Sequence, residues 1–521
     1  MNPEILIVLI SLILMLVLLV ADIMRPGLVM FSIAVVFMCT GILTPQEMLS
    51  GFSNKGMITV ALLFLISEGV RRSDALGHII GKILPAHKTN RGVRGGYIRM
   101  MPVVATISAF INNTPLVVIF IPIIKQWAAK IGQPIKKFLI PLSYAAILGG
   151  MCTLIGTSTN LLVHGMMLDA GMKGLSMFEL GKVGGFIAIA GMAYIILFGE
   201  KLLPGGKSVS AEENDQISQS ANSGKLIVEA VLGPRFKGIH TTPAEFDFEK
   251  RYGAEIKEFR RNGAAIKDMN SYEFKEGDTL ILETQESFFT IWGESTEFLM
   301  LSNGRPHNIP SAGWKKWASI SLLTLMIIGA TFGQMPRIKA LLPGINMDMF
   351  FWVCIVTVIM AVLNLFPVKK YTKIISWDIL VTIASALAIS KAMTNSGLAD
   401  LIASKLTMLS GGNVSPIVVL AALYITTNII TELITNNAAA AFAFPIALST
   451  AAKMGVSPMP FFVAICIAAS ASFSSPIGYQ TNLIVQGIGN YRFRDFSRIG
   501  LPLNVIAFIL SMVLIPLFWK F

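Results

Sequence analysis

Residues 5–20, 28–42 and 505–518 contain no charged side chain. Runs like these approach the ~20 residues needed to cross a ~30 Å hydrocarbon layer. In such a layer every backbone N–H and C=O must find its partner within the protein, which leaves only packed helices or a closed barrel. Continuous apolar runs without period-2 alternation select helices. Only 14% of the 521 residues are charged and 54% are hydrophobic, whereas a soluble domain carries about 25% charge. The fold class expected is therefore an α-helical polytopic membrane protein. The net charge of +12 belongs in loops facing anionic lipid headgroups, so lipids are expected partners and nucleic acid is not. Cys39, Cys152, Cys354 and Cys466 all lie in apolar segments, where packing is the better reading than disulfides. The five histidines do not cluster, so no histidine metal site is expected, and no catalytic constellation points to an enzyme. The first apolar run lacks a basic n-region and a small-residue cleavage site and reads as a retained helix.

The chain divides into residues 1–203 (membrane), 204–312 (polar, without a spanning run) and 313–521 (membrane). The two membrane parts are versions of each other. Leu76-Gly77-His78-Ile79-Ile80 matches Leu398-Ala399-Asp400-Leu401-Ile402. Ile111-Asn112-Asn113-Thr114, with Pro122 beyond it, matches Ile434-Thr435-Asn436-Asn437, with Pro445 beyond it. Gly156-Thr157-Ser158-Thr159-Asn160-Leu161 matches Gly478-Tyr479-Gln480-Thr481-Asn482-Leu483. The offset stays at 322 or 323 throughout, the signature of duplication.

Five spans per half are expected, near 4–21, 27–43, 56–70, 139–167 and 181–199, then 316–334, 347–366, 376–392, 459–487 and 499–519. Segments 100–128 and 420–452 carry the paired asparagines and read as helix, polar break, helix. That suits a re-entrant hairpin, because irregular backbone at depth must line protein or a cavity. An odd span number per half makes the repeats inverted. Arg71, Arg72, Lys82, Lys88, Arg91, Arg94 and Arg99 crowd one loop, and only Lys405 lies in its repeat counterpart. With both termini outside, these charges, Lys369, Lys370, Lys373, Arg492, Arg494, Arg498 and the 204–312 insert all fall on the cytoplasmic side.

Within the insert, Leu226–Val231, Ala254–Phe259 and Thr279–Glu283 read as strands and 243–252 as a helix, with turns at Asn262-Gly263 and Lys275–Asp278. This small α+β layout resembles a TrkA-C (RCK C-terminal) domain through Val231-Leu232-Gly233, Lys250-Arg251-Tyr252-Gly253, Arg261-Asn262-Gly263 and Phe274-Lys275-Glu276-Gly277-Asp278-Thr279-Leu280. The resemblance implies dimerisation and a small regulatory ligand, with a plain structural cap as the alternative. No nucleotide-binding glycine loop precedes it.

Paired asparagines inside a bilayer are costly unless they bind something or each other. The first tip offers Ser108, Asn112, Asn113 and Thr114; the second offers Thr431, Thr435, Asn436 and Asn437. Ser108 precedes Asn112 by four residues and Thr431 precedes Thr435 by four, which stacks each hydroxyl one turn below its break. Broken helices expose free carbonyls suited to Na⁺ and free amides suited to anions. Glycine at 156 and 478 permits the backbone to turn its carbonyls inward. The structural alternative is helix–helix glue through small and polar residues. No Arg or Lys lies in these four elements, so an anion there needs neutral donors and bound cations. Carrying one charge against 100 mV costs about 2.3 kcal/mol, so two Na⁺ balance a dianion and a third makes import electrically favoured. Glu432, beside Thr431, keeps a proton- or cation-coupled antiport reading open.

These motifs resemble the divalent-anion/sodium symporter family, within the ion-transporter superfamily of dicarboxylate, citrate and sulfate carriers, over nearly the whole chain. The family signature Ser-Asn-Thr matches Asn112-Asn113-Thr114 and Thr435-Asn436-Asn437. The resemblance implies a homodimer with scaffold and transport domains, an elevator-type motion, a multi-pass location in the cell membrane, and Na⁺ as the coupling ion. It implies one Na⁺ site from Ser108, Asn112, Asn113 and the Gly156 carbonyl, and another from Thr431, Asn436 and the carbonyls of Ile434 and Gly478. Substrate would contact Asn113, Thr114, Thr157, Ser158, Thr435, Asn436, Asn437 and Tyr479. Dicarboxylate carriers usually place Pro-Pro after the unwound glycine, where Ser158-Thr159 and Gln480-Thr481 stand here. That departure and the bulk of Tyr479 suggest a smaller substrate; the Asn-Asn-Thr-Pro and Thr-Asn-Asn-Ala forms, with the TrkA-C-like insert, resemble the family's sulfate-transporter-like branch, which implies a small divalent anion, sulfate or a related oxyanion, rather than a C4-dicarboxylate or citrate.

Overall fold

The computed structural model describes residues 2–521 apart from 22–23, 74–91, 206–225, 234–235, 262–263, 267, 286–287, 289–291, 293–294, 296, 303–312, 334, 336–343 and 409–414. The loop 74–91, with its basic residues, and the Asn262-Gly263 turn lie outside the described residues.

Among the described residues, six helices are long and apolar enough to cross a membrane: Pro3–Val20, Pro45–Arg72, Gly181–Leu202, Trp377–Asn395, Pro416–Leu433 and Phe493–Phe518. Shorter apolar helices include Pro26–Cys39, Met349–Val362 and Met459–Ser470. Exposed Leu, Ile, Val and Phe side chains ring these elements, among them Ile10, Val17, Ile189, Val362, Val513 and Leu517, as a lipid-facing surface requires.

Each region expected to fold as a hairpin is a helix, a short break and a second helix. The first runs Gly92–Ser108, then Asn113–Lys130; the second runs Pro416–Leu433, then Asn436–Met454. Both start earlier than the sequence suggested, and Pro122 and Pro445 sit at matching places inside the outgoing arms. Each is followed by a helix interrupted in mid-course. Leu139–Gly150 and Ser158–Asp169 flank one gap, and Met459–Ser470 and Gln480–Gly489 flank the other. The helices just before the first gap and just before the second are buried almost throughout, so the irregular backbone lies inside protein rather than against lipid.

The duplicated helices Lys55–Arg72 and Trp377–Asn395 form a frame beside these elements. Trp377–Asn395 packs along Pro26–Cys39, and Lys55–Arg72 along Met349–Val362. Where Pro26–Cys39 begins, the Gly27 N–H donates to Asp378 Oδ1 at 3.3 Å, and the backbones approach so closely that a methyl on Gly27 would lie 2.7 Å from the Asp378 carbonyl.

Between the halves lies an antiparallel sheet in the order β3-β2-β4-β1-β5, from β1 (Leu226–Leu232), β2 (Ala254–Arg261), β3 (Ala264–Ala265), β4 (Thr279–Thr284) and β5 (Phe298–Ser302). The expected strands are present, together with two edge strands too short or irregular to stand out in sequence. The expected helix at 243–252 is two short ones, Pro243–Phe246 and Phe248–Tyr252, because Asp247 between them adopts left-handed φ of 51°. The sheet has its own aromatic core, in which Phe236 meets Phe246, Tyr252 and Phe274 at ring separations of 5.1–5.8 Å. The Asp278 carboxylate takes two hydrogen bonds from Arg261, at 2.8 and 2.7 Å, and one from the Lys275 N–H at 2.7 Å. The bond from Asp278 raises the Arg261 pKa further, and the carboxylate pins the turn before β4.

Candidate functional site

The two tips make the same bonds. On the first, Ser108 Oγ lies 2.6 Å from Asn113 Oδ1 and 2.8 Å from the Ala146 carbonyl. On the second, Thr431 Oγ1 lies 2.8 Å from Asn436 Oδ1 and 2.7 Å from the Ala469 carbonyl. All three positions are related by 323. The breaks repeat the pattern at an offset of 322. Asn160 Nδ2 donates to the carbonyls of Thr153 (2.9 Å) and Gly150 (3.4 Å); Asn482 Nδ2 donates to those of Ser475 (3.1 Å) and Ser472 (2.9 Å). An asparagine thus closes each gap from within.

The halves also touch reciprocally. Thr114 Oγ1 donates to Gln480 Oε1, and Ser158 Oγ to Asn437 Oδ1, both at 3.3 Å. Thr159 Oγ1 adds a bond to Asn437 Oδ1 at 3.1 Å. Each tip therefore meets the break of the other half, and one polar site is built from both.

Oxygen converges on each tip asparagine. The terminal amide of Asn436 faces the Gly478 carbonyl, Thr431 Oγ1 and the Ala469 carbonyl. With nitrogen turned toward them it donates at 2.9, 2.8 and 3.2 Å; with oxygen turned toward them the cluster is oxygen-only. Amide orientation is assigned from such networks rather than observed. The ring closes because Gly478 has no side chain: a methyl there would lie 2.5 Å from the Thr431 carbonyl. Gly150 is likewise required, since a methyl there would lie 2.9 Å from both terminal atoms of Asn113.

Not every expected residue joins the network. Asn113 is 1% exposed and central. Asn112 caps the outgoing arm without a side-chain bond and lines a separate cleft with Val60, Ser67, Phe110 and Ser158. Thr435 occupies the matching cap, and its buried hydroxyl has no partner. Ile434 holds extended backbone at the second break, with φ −132° and ψ −174°. Thr157 caps Ser158–Asp169 through the Thr159 N–H at 3.1 Å, and Gly156 donates to Thr153 Oγ1 at 3.2 Å. The Tyr479 hydroxyl crosses the midline to accept from Asn113 Nδ2 at 2.5 Å and also bonds Thr157.

One member does not stand out in the sequence. Ser143 donates toward Thr481 Oγ1 (2.8 Å) and Asn482 Oδ1 (2.7 Å) across the halves. Its signal was a lone hydroxyl in an apolar run. Asn160 and Asn482, the last residues of the two expected break motifs, are identical at matched repeat positions and make the same closing bonds. Glu432 accepts from the Ser474 N–H (2.8 Å), Asn504 Nδ2 (2.7 Å) and Ser472 Oγ (3.3 Å), which ties the second tip to its neighbouring break. Ala109 stands at its repeat position, where the tip is tied to its break instead by Thr153 Oγ1 donating to the Ala109 carbonyl, so the carboxylate tie belongs to the second half.

Two intramembrane tips, each an oxygen cluster beside an unwound helix, form a geometry suited to transport. Comparison with known proteins agrees. The chain matches the citrate transporter family model over residues 14–345 and 338–521. It is 29% identical to an uncharacterized transporter of Synechocystis sp. over 94% of this chain and 92% of that one. It is 38% identical to sodium/sulfate cotransporter 1 of Chlamydomonas reinhardtii over 33% of this chain and 20% of that protein. The crystal structure of the YdaH transporter of Alcanivorax borkumensis shares its fold, with a TM-score of 0.50 at 12% identity, covering 90% of this chain and 87% of that one. The chain belongs to the citrate transporter family.

Proposed function

We propose that the protein is a secondary active transporter that imports a small divalent anion, sulfate or a related oxyanion, coupled to Na⁺. The observation that carries this is the pair of mirrored oxygen clusters at Asn113 and Asn436. In the Na⁺-bound state the Asn436 oxygen, Thr431 Oγ1 and the Gly478 and Ile434 carbonyls face one ion. Asn113, Asn112, Ser108 and the Gly156 carbonyl face the other. The anion lies between the tips, against Thr114, Asn437, Thr157, Ser158, Thr435 and Tyr479, with charge supplied by the ions because no Arg or Lys lies in these elements. The Na⁺-coupled sulfate relative supports this coupling.

In this reading the halves are inverted repeats of five spans and one hairpin. The elements bearing tips and breaks move as a transport domain against a frame containing Lys55–Arg72 and Trp377–Asn395, and opposite sides open when the repeats exchange arrangements. The insert is a cytoplasmic TrkA-C-like domain, and the carrier is a homodimer in the cell membrane.

The test is uptake into proteoliposomes. Labelled sulfate uptake should require an inward Na⁺ gradient; uptake that ignores Na⁺ and follows pH would sink the reading. The runner-up substrate is a C4-dicarboxylate or citrate, favoured by the family description. A thermal-shift panel with and without Na⁺ separates the two, since the true substrate stabilises the fold only together with its cation.

A further inference from the structure

The helices after the two breaks present the same face to different neighbours. In the first half, Leu161 and Gly165 of Ser158–Asp169 lie against the start of Lys55–Arg72. A methyl on Gly56 would lie 2.6 Å from the Leu161 carbonyl and 3.2 Å from Gly165 Cα. In the second half the equivalent residues are Leu483 and Gly487 of Gln480–Gly489. These do not meet the frame helix Trp377–Asn395 in that way. They meet the insert: a methyl on Gly277 would lie 2.6 Å from Leu483 Cγ, and a methyl on Gly487 would lie 3.0 Å from the Gly277 carbonyl.

The outgoing arms are asymmetric too. Asn436–Met454 packs extensively on Trp377–Asn395, whereas Asn113–Lys130 touches Lys55–Arg72 only lightly. The insert engages this second under-packed element as well. Lys125 Nζ pairs with Glu229 of β1 at 3.0 Å, with the carboxylate side chain 10% exposed. The turn that reaches Leu483 is stiff, because Asp278 binds Arg261 and the Lys275 N–H, and Gly277 holds φ of +83°.

We propose that the insert is an autoinhibitory latch, in which the Gly277–Thr279 turn occupies on the second repeat the place that a frame helix takes on the first. The inference rests on the repeat-exchange reading above. Exchange would bring the Leu483/Gly487 face to the start of Trp377–Asn395, and the turn must leave first. A ligand or partner that shifts the insert therefore sets the transport rate without touching the anion site.

Thr279 Cβ lies 3.9 Å from where a Cβ on Gly487 would stand, within the range that a disulfide spans. In full-length protein, oxidised Thr279→Cys/Gly487→Cys should lose at least about tenfold of its uptake and regain it on reduction, with both single variants active. Uptake by the crosslinked protein as fast as after reduction, or failure of the pair to crosslink, would overturn the latch. Glu229→Gln should raise uptake about two- to fivefold, the size of one part-exposed ion pair. A second readout needs no substrate: Leu483→Cys should react faster with an impermeant maleimide when combined with Glu229→Gln. Equal labelling rates would overturn the latch. Faster labelling with Glu229→Gln, in a protein that shows no Na⁺-driven sulfate uptake, would sink the substrate assignment alone.

Discussion

The two halves agree on the bonds that hold each tip and each gap and part company at other positions, and the pattern of agreement separates what the site requires from what one half has specialised. Hydroxyl to asparagine, hydroxyl to helix-end carbonyl, and asparagine across the gap recur with only a Ser/Thr exchange. The departures are Tyr479 against Thr157, Glu432 against Ala109, and Ser143 against Cys466. On the proposed reading, duplicated bonds belong to the Na⁺ sites and single ones to substrate fit and bracing.

Replacing Asn113 or Asn436 with alanine tests the agreement and should have the largest effect. Each leaves a buried hydroxyl and carbonyl cluster unpaired at about 1–3 kcal/mol per group, and Na⁺-dependent uptake should fall about 100-fold in both. A large loss in one half alone would break the equivalence of the tips. Tyr479→Thr makes the second break resemble the first. It should raise the sulfate KM about tenfold, the effect of losing one well-placed buried bond, and let succinate compete in the uptake assay. Unchanged selectivity would remove Tyr479 from the substrate wall.

Glu432→Gln should lower the Tm by weakening charge-assisted bonds worth about 1.5–3 kcal/mol while Na⁺-coupled uptake persists. Complete loss of transport with a normal Tm would favour the antiport reading. The smallest change is expected from Ser143→Ala, which leaves Asn482 Oδ1 short of a donor and should cost about 1 kcal/mol in thermal unfolding. Asn160 Oδ1 is buried without a partner, and Cys466 stands at the repeat position of Ser143, so by repeat equivalence Cys466→Ser is the converse substitution that would offer it a donor. It should leave stability level or raise it slightly.

Much of this was legible before any coordinates. The constant offset, the paired asparagines and the glycine-led breaks located the tips and gaps, because polar residues and glycine inside apolar helices have few uses. What sequence did not reveal was direction. Asn112 and Thr435 read as equals of their neighbours, yet they sit at helix caps and their side chains make no bond in the network. Ser143 does not stand out because its partners lie in the other half, hundreds of residues away. The double helix around Asp247 was missed because left-handed backbone at a non-glycine position has a weak sequence signature.

The asparagines that span each gap have a consequence in the timing of conformational entropy. Asn160 and Asn482 hold irregular loops of several residues in one shape, and ordering such backbone takes about 1–2 kcal/mol per residue. That ordering happens when the chain folds, not when cargo arrives. On the proposed reading, the gaps would meet their ligands already set, which would leave binding free energy available for moving the carrier.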